Sequence, residues 1–445
     1  MSKVLQFACH FFAVCVSSNT PTAVYLGIMK HNGVPVDADL MKSRQQEAEQ
    51  QMQRIRNEII MLIGDVEIGA NCGTKAFEDY LYQTLKLPVM KVTASNKEAA
   101  DDASMIMLKE WCDANRPELS SLFTLVQECR KWSKIKSTYI DGYLKYLNSA
   151  TGRIHPDFFA LSTETGRMNC KTPKAQNLPR KSNDPIRVRN FIKAPEDHLI
   201  LSLDFSQIEL RVGAFYCRDR TMMETYKNGG DIHAATTSVI FSCTYEEAQD
   251  KHRKEYKEQR TIVKNVNFGT FYGLFPKGLQ STLKFKAGVE KSVDECEAII
   301  RNLKSGYSAL TTWQEETKRD AAGKMYIETW LGRRRYLSNI RSENWGLKSF
   351  AERCALNTPI QVTAADILKL AIVRILEGLP SRPWLKPILQ IHDELTFIIP
   401  KEKLNEAVIF IRECMEQQPF PEFDLPLVAE ASAGESFGNL EELEG

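Results

Sequence analysis

An apolar run ending in a carboxylate occurs twice in this chain, and the two runs constrain its fold more than any other feature. Leu199-Ile-Leu-Ser-Leu203 leads into Asp204. Pro387-Ile-Leu-Gln-Ile391 leads into His392-Asp393-Glu394, and Leu395-Thr-Phe-Ile-Ile399 follows at once. Short runs of this composition, broken by turn residues, read as buried strands. Taken singly, each acid is an ordinary turn residue at a strand end. Asp204 and Asp393 are 189 residues apart, so a shared sheet must bring them together. Two carboxylates delivered in this way suit a pair of divalent metals in an in-line displacement at phosphorus.

The stretch between them adds a second pattern. Arg260, Lys264, Phe268 and Tyr272 recur every fourth residue within Arg260–Gly273. A helix over 260–273 puts them on one face, because residues four apart are neighbours there. Two cations followed by two aromatics suit a ligand with a polyphosphate at one end and a flat base at the other. The plainer alternative is a solvated basic turn running into two core aromatics. Gly269 and Gly273 weaken a helix, yet they remove side-chain bulk beside the rings.

With these residues the chain resembles the polymerase domain of family A DNA polymerases. Asp204-Phe-Ser-Gln-Ile-Glu-Leu-Arg211 is similar to motif A, Arg260–Gly273 to motif B (the O helix), and His392-Asp393-Glu394 to motif C. Thr165-Gly-Arg167 and Gln176-Asn-Leu-Pro179 resemble the template–primer segment that precedes motif A. Arg353, Asn357 and Gln361 resemble the palm helix that contacts primer and template. The likeness runs in the family's order over roughly residues 24 to 440.

The resemblance implies an α+β right-hand fold, with an antiparallel palm sheet and helical fingers and thumb. It implies a template-directed DNA polymerase that extends a primer 3′-hydroxyl with dNTPs. Two Mg²⁺ ions, replaceable by Mn²⁺, would be held by Asp204, Asp393 and the Phe205 carbonyl, with Glu394 as a supporting acid. Lys264 joins the two aspartates as a catalytic residue, a donor to the leaving pyrophosphate. The nucleotide would meet His233, Arg260, Lys264, Phe268 and Tyr272. Glu209 would bar a ribose 2′-hydroxyl and bond Tyr272. Its alternative is a surface acid paired with Arg211. Primer–template DNA would meet Arg167, Gln176, Asn177, Arg353, Asn357, Gln361 and His392. A single-subunit phage-type RNA polymerase fits less well, since Glu209 and Glu394 depart from that family. A DNA-binding protein without activity would be expected to lack the metal acids or Lys264.

Charge supports a nucleic-acid surface locally. The net charge is only +1, but residues 130–193 hold 14 Lys or Arg against 4 acids, and residues 401–445 hold 3 against 11. The middle is therefore the expected phosphate-backbone surface. The 11 scattered cysteines form no CxxC pair, which argues against a disulfide framework or zinc site and points to a reducing cytoplasm; the resemblance implies that of a bacterium or phage-infected host. No membrane span is expected. The apolar segment 4–16 reads as a buried strand or helix rather than a signal peptide.

The expected divisions are an N-terminal extension over 1–23 and a mainly thumb segment over 24–148. Palm with motif A follows over 149–212, fingers over 213–349, and palm with motif C over 350–445. Residues 36–64 read as one long amphipathic helix. Lys131, Lys134 and Lys136 are candidate phosphate contacts of the thumb. With about 25 residues before the first matching segment, no exonuclease domain is expected. That points to a phage or other mobile replicon, with a separately encoded exonuclease or processivity factor as partner.

Overall fold

The computed structural model describes residues 3–93, 97–179 and 184–443, with side chains from Ser18 onward. The chain opens with helix α1 (Lys3–Asn32), so the apolar segment 4–16 is helical; its side chains lie outside the described residues. Helix α2 (Ala38–Ile63) starts where the Asp37 carboxylate accepts from the Leu40 amide. It stops at Gly64, whose φ of 76° suits glycine. Its buried face is Met41, Ala48, Ile55, Ile59 and Ile63. That face packs on helix α4 (Ser120–Ile135), which in turn packs on helix α3 (Asp102–Asn115). Each large apolar side chain buried here contributes about 1.5–3 kcal/mol.

Among the described residues the largest sheet is five-stranded. Its strands are β1 (His198–Phe205), β2 (Lys386–Ile391), β3 (Glu394–Pro400), β4 (Ala429–Gly434) and a short β5 (Glu441–Glu442). They lie in the order β5–β4–β1–β3–β2, and every neighbouring pair is antiparallel. Alternation along the strands decides which side chain faces where. Leu201, Leu203, Leu395, Phe397, Ile399, Ala431 and Ala433 share a core with the helices beneath. The opposite face changes character along its length. Its in-register rows are Ile398–Ile200–Gly434, then Thr396–Ser202–Ser432, then Glu394–Asp204–Glu430. Apolar residues thus give way to hydroxyls and then to three acids at the strand ends.

Along the chain, the stretch between β1 and β2 is mostly helical. Its helices include α5 (Ile208–Cys217), α6 (Ile232–Phe241), α7 (Tyr256–Thr270) and the 34-residue α8 (Trp345–Gly378). Asn344 caps α8 by accepting from the Gly346 and Leu347 amides. A small hairpin joins Tyr326–Glu328 with Arg334–Tyr336. Helix α9 (Leu404–Glu416) lies between β3 and β4. The closing strand starts at Ala429. Ala429 stands opposite Phe205, where β1 ends, so no strand remains for earlier residues to pair with. Among the described residues no helix is long and apolar enough to cross a membrane.

Candidate active site

The two strand-end acids meet at one edge of the sheet. Asp204 is the seventh residue of β1, and Asp393 lies in the two-residue turn between β2 and β3. His392, the first residue of that turn, has φ of 58°, which folds the strand back sharply. The Phe205 amide lies 3.4 Å from the Asp393 carbonyl, so the turn rests on the end of β1. Burial raises the Asp204 pKa, and the nearby Asp393, Glu394 and Glu430 raise it further. Burial also raises Asp393, with Glu209 adding to the effect. Such a group of carboxylates holds its charge readily only beside a cation.

These residues fit divalent metal with a sparse ligand set. Among the described residues no three His, Cys, Asp or Glu side chains gather closely enough to hold an ion alone. Mg²⁺ needs fewer: it is commonly bound by one or two carboxylates, with phosphate oxygens and water completing the shell. Asp204 and Asp393 supply two carboxylates, and Phe205 ends the strand beside them. Glu394 shares a face with Asp204 through the register, and its carboxylate accepts from the Ser202 hydroxyl. Glu430, in register on the other side of Asp204, has no salt-bridge partner among the described residues and was missed in the sequence. Nothing in Leu427-Val-Ala-Glu430-Ala marks it until the strands are aligned.

The helical stripe is partly as read. Arg260, Lys264 and Phe268 lie on α7, with Lys264 and Phe268 exposed. Tyr272, however, lies beyond the helix, which ends at Thr270. The Tyr272 amide donates to the Gly269 carbonyl at 3.1 Å, and Gly273 takes φ of 74°. A glycine at this C-terminal position closes helices well, which explains why the stripe stops one step early. Lys264 has no ion-pair partner among the described residues, whereas Arg260 pairs with Asp231 at 2.6 Å. Asp231 also caps α6, accepting from the His233 amide at 2.8 Å.

His233 is buried, and burial lowers its pKa to about 4. The ring is therefore neutral near pH 7. Its Nδ1 lies 2.9 Å from the Asn267 amide nitrogen of α7, so Nδ1 accepts and Nε2 carries the proton. Asn267 was another omission from the sequence reading; an Asn inside a helix gives little warning of a histidine partner. The neutral ring keeps one N–H donor, at Nε2.

Glu209 joins three segments. It forms an ion pair with Arg167 and accepts from the Tyr272 hydroxyl. Arg211, the alternative partner, instead donates to the Ser206 and Pro426 carbonyls at 2.9 and 2.7 Å. Tyr272 is held protonated by burial first and by the Glu209 charge second. One carboxylate on α5 therefore fixes both the ring after α7 and the guanidinium before β1.

The expected DNA contacts divide. Gln176 is buried, and its amide nitrogen donates to Gln390 at 2.6 Å, so it points into the sheet rather than to a cleft. Gln390 in turn donates to the His392 carbonyl at 2.5 Å. Gln176 thus acts on the Asp393 turn through Gln390, which the sequence reading passed over as a core strand residue. Asn177 is exposed, and its carbonyl accepts from the Tyr139 hydroxyl. His392 is exposed at the tip of its turn. Arg353, Asn357 and Gln361 form a stripe on α8, half-buried throughout. The Asn357 side-chain oxygen is buried without a hydrogen-bond partner, as expected of a group awaiting a donor. Of the three candidate lysines, Lys131 and Lys134 are exposed, but Lys136 is engaged by Glu49 and Asp141 at 3.2 and 2.9 Å.

Comparison with known proteins gives the family. The family model for DNA polymerase family A matches residues 38–439. DNA polymerase I of Pseudomonas aeruginosa is 32% identical over 423 residues, which is 94% of this chain and 43% of that protein. DNA polymerase I of Bacillus subtilis is 31% identical over 419 residues, covering 94% of this chain and 45% of that protein. The thermostable DNA polymerase I of Thermus filiformis is 31% identical over 420 residues, covering 93% and 47%. The chain thus spans less than half the length of these curated relatives. Among solved structures, the POL domain of Pol1 from M. smegmatis in complex with DNA primer-template and dNTP is similar. It has a TM-score of 0.81 and 28% identity, over 94% of this chain and 70% of that one.

Proposed function

This chain belongs to DNA polymerase family A, and from that premise we propose that it extends a primer 3′-hydroxyl with dNTPs along a DNA template. The observation that carries the reading is the Glu209 carboxylate. It ties Arg167 and Tyr272 together beside the Asp204–Asp393 pair, uniting motif A, the end of α7 and the segment before β1. We assign residues 24–148 mainly to the thumb, 149–212 and 350–445 to the palm, and 213–349 to the fingers, after an N-terminal extension over 1–23.

Two Mg²⁺ ions held by Asp204, Asp393 and the Phe205 carbonyl would activate the hydroxyl and neutralise the pyrophosphate. The protein's own groups do the rest. Lys264 and Arg260 make charge-assisted hydrogen bonds to the triphosphate, and Lys264 gives a proton to the leaving group. The neutral His233 adds its Nε2–H donor. Phe268 offers an exposed ring for stacking against the incoming base. Gln361 and Arg167 face minor-groove acceptors, which all base pairs share, so they test pair shape without reading sequence. Glu394, held by Ser202, supports the acid row, and Gln176 acts by positioning the His392–Asp393 turn. The direct test is primer extension on a defined template, with and without Mg²⁺, offering dNTPs or NTPs. Failure to extend with dNTPs in Mg²⁺ removes the reading.

Sugar selection is assigned to Glu209. Glu209→Ala opens space for a 2′-hydroxyl and frees Tyr272 from its hydrogen bond. Ribonucleotide use should hold or rise while deoxynucleotide use falls, the latter by about tenfold for one lost bond to a charged group. Measured as kcat/KM for dCTP and CTP opposite template G, an unchanged ratio would return the RNA polymerase alternative to consideration.

The reading extends to the absence of proofreading by these 445 residues, because polymerase-family sequence occupies 38–439 of them. A separately encoded exonuclease or processivity factor would complement such an enzyme in replication or repair, as in a phage or other mobile replicon. Purified protein with Mg²⁺ and no nucleotide is expected to leave a mispaired 3′ terminus intact over hours. Its removal, seen as shortened primer on a sequencing gel, would contradict this.

A further inference from the structure

Helix α7 carries a polar side chain on its buried face that the proposed reaction leaves without a role. Its buried residues are Ile262, Val263, Val266, Asn267 and Thr270, and Asn267 is 4% exposed. Asparagine is a weak helix former, and burying an amide without partners is unfavourable. The partner here is the His233 ring on α6, itself 6% exposed, with Nδ1 2.9 Å from the Asn267 amide nitrogen. The two residues are 34 apart in the chain, so the bond exists because α6 packs on α7.

The backbone of His233 is held independently of its ring. Its amide donates to the Asp231 carboxylate at 2.8 Å, and its carbonyl accepts from the Thr237 hydroxyl at 2.7 Å. The ring direction is left to Asn267. An NH₂ group donates and cannot accept, so Nδ1 must present its lone pair and the proton must sit on Nε2. A second proton, on Nδ1, would set two donors against each other. The same bond therefore opposes both the other tautomer and the imidazolium ion.

The charges around the ring act on a different property. Burial lowers the His233 pKa most; Asp231 raises it, and Arg260 and Lys264 on α7 lower it, to about 4. The other helices packed on α6, over 220–227, 245–249 and 293–306, add no further charge to this balance among the described residues. These effects set the charge of the ring, and the choice of nitrogen falls to Asn267. Asn267 lies three residues after Lys264 and one before Phe268. The helix that carries the triphosphate lysine thus also fixes the direction of the His233 donor.

We propose that Asn267 is a positioning residue for the nucleotide triphosphate: it locks His233 in the Nε2–H tautomer, so that the ring presents one fixed donor alongside that of Lys264. The triphosphate as occupant rests on the polymerase reading above.

The test is nitrogen NMR of the full chain labelled with ¹⁵N-histidine, at pH 7 and without nucleotide. The His233 signals are identified by their loss in His233→Gln. Wild type is expected to show a protonated Nε2 and an unprotonated Nδ1. In Asn267→Asp the carboxylate accepts and cannot donate, so Nδ1 should gain a proton and the ring should titrate at a higher pH than in wild type. As pH climbs past that raised pKa, Nε2 loses its proton and the triphosphate its donor. The kcat/KM of N267D for dNTPs, relative to wild type, should then fall by about tenfold. A merely structural asparagine would not produce that pH-dependent loss. N267A should lower kcat/KM by about 2- to 12-fold, as for one neutral hydrogen bond, chiefly through KM. It should add nothing in the H233A background. The proposal is overturned if wild-type Nδ1 carries the proton, or if N267A lowers kcat/KM as much in H233A as in wild type. The wild-type spectrum needs no variant, so it decides even where a variant fails to fold. Primer extension by the wild type reports separately on the polymerase reading. Extension with a protonated Nδ1 sinks the Asn267 role alone, whereas no extension sinks the reading it rests on.

Discussion

Replacing Asp204 or Asp393 by alanine is expected to reduce template-directed extension by on the order of 10³-fold, the upper range for removing one group that stabilises developing charge. Primer–template affinity should change little, because neither acid lies on the basic surfaces. Extension within tenfold of wild type would remove the metal assignment. The same acids leave a second signature. Folding raises the pKa of Asp204 through burial and through the neighbouring Asp393, Glu394 and Glu430. An acid whose pKa is raised by folding costs stability as pH climbs from the unfolded value near 4 towards the raised one. Asp204→Asn removes that cost while leaving the volume almost unchanged. In EDTA at pH 8 the asparagine variant should melt above wild type by about a degree or more, and the difference should vanish near pH 4. Divalent metal should stabilise wild type and not the variant. A variant that melts lower at pH 8 would show that the row of acids is not strained by its own charge.

Lys264→Ala is expected to lower kcat/KM for dNTPs by about 10- to 150-fold, from the roughly 1.5–3 kcal/mol of one charge-assisted hydrogen bond. Lys264 is exposed on α7 with no ion-pair partner among the described residues, so its charge is available to the triphosphate. Arg260→Ala should act in the same direction but more weakly in the free protein, since Asp231 already engages the guanidinium. DNA affinity, measured without nucleotide, should stay near wild type for both. Equal weakening of DNA binding with unchanged nucleotide KM would move the two cations to the DNA side.

How much of this was legible in the sequence depends on the range of the interaction. Local patterns carried the elements. Asp37 and Gly64 mark the ends of α2, and the cationic stripe of α7 follows from four-residue spacing. The apolar runs before Asp204 and Asp393 mark the two strands that bear them. Where a local signal competes with another, the reading slipped. Tyr272 continues the spacing of the stripe, but Gly273 ends the helix before it.

Partners distant in the chain left no such trace. Nothing in a single strand indicates that Glu394 and Glu430 flank Asp204 in register, because cross-strand neighbours are set by alignment of whole strands. Gln176 reads like a DNA contact, yet folding turns its amide onto Gln390 and so onto the turn of Asp393. His233 is a lone histidine until Asn267 of α7 accounts for its proton. Residue types and their periodicity, then, determine elements, faces and the available chemistry, because these depend on backbone geometry over a few residues. Which acid is raised, which cation is free and which amide is spent indoors depend on burial and on atoms within a few ångströms. Those are properties of the packed fold, and only the tertiary structure decides them.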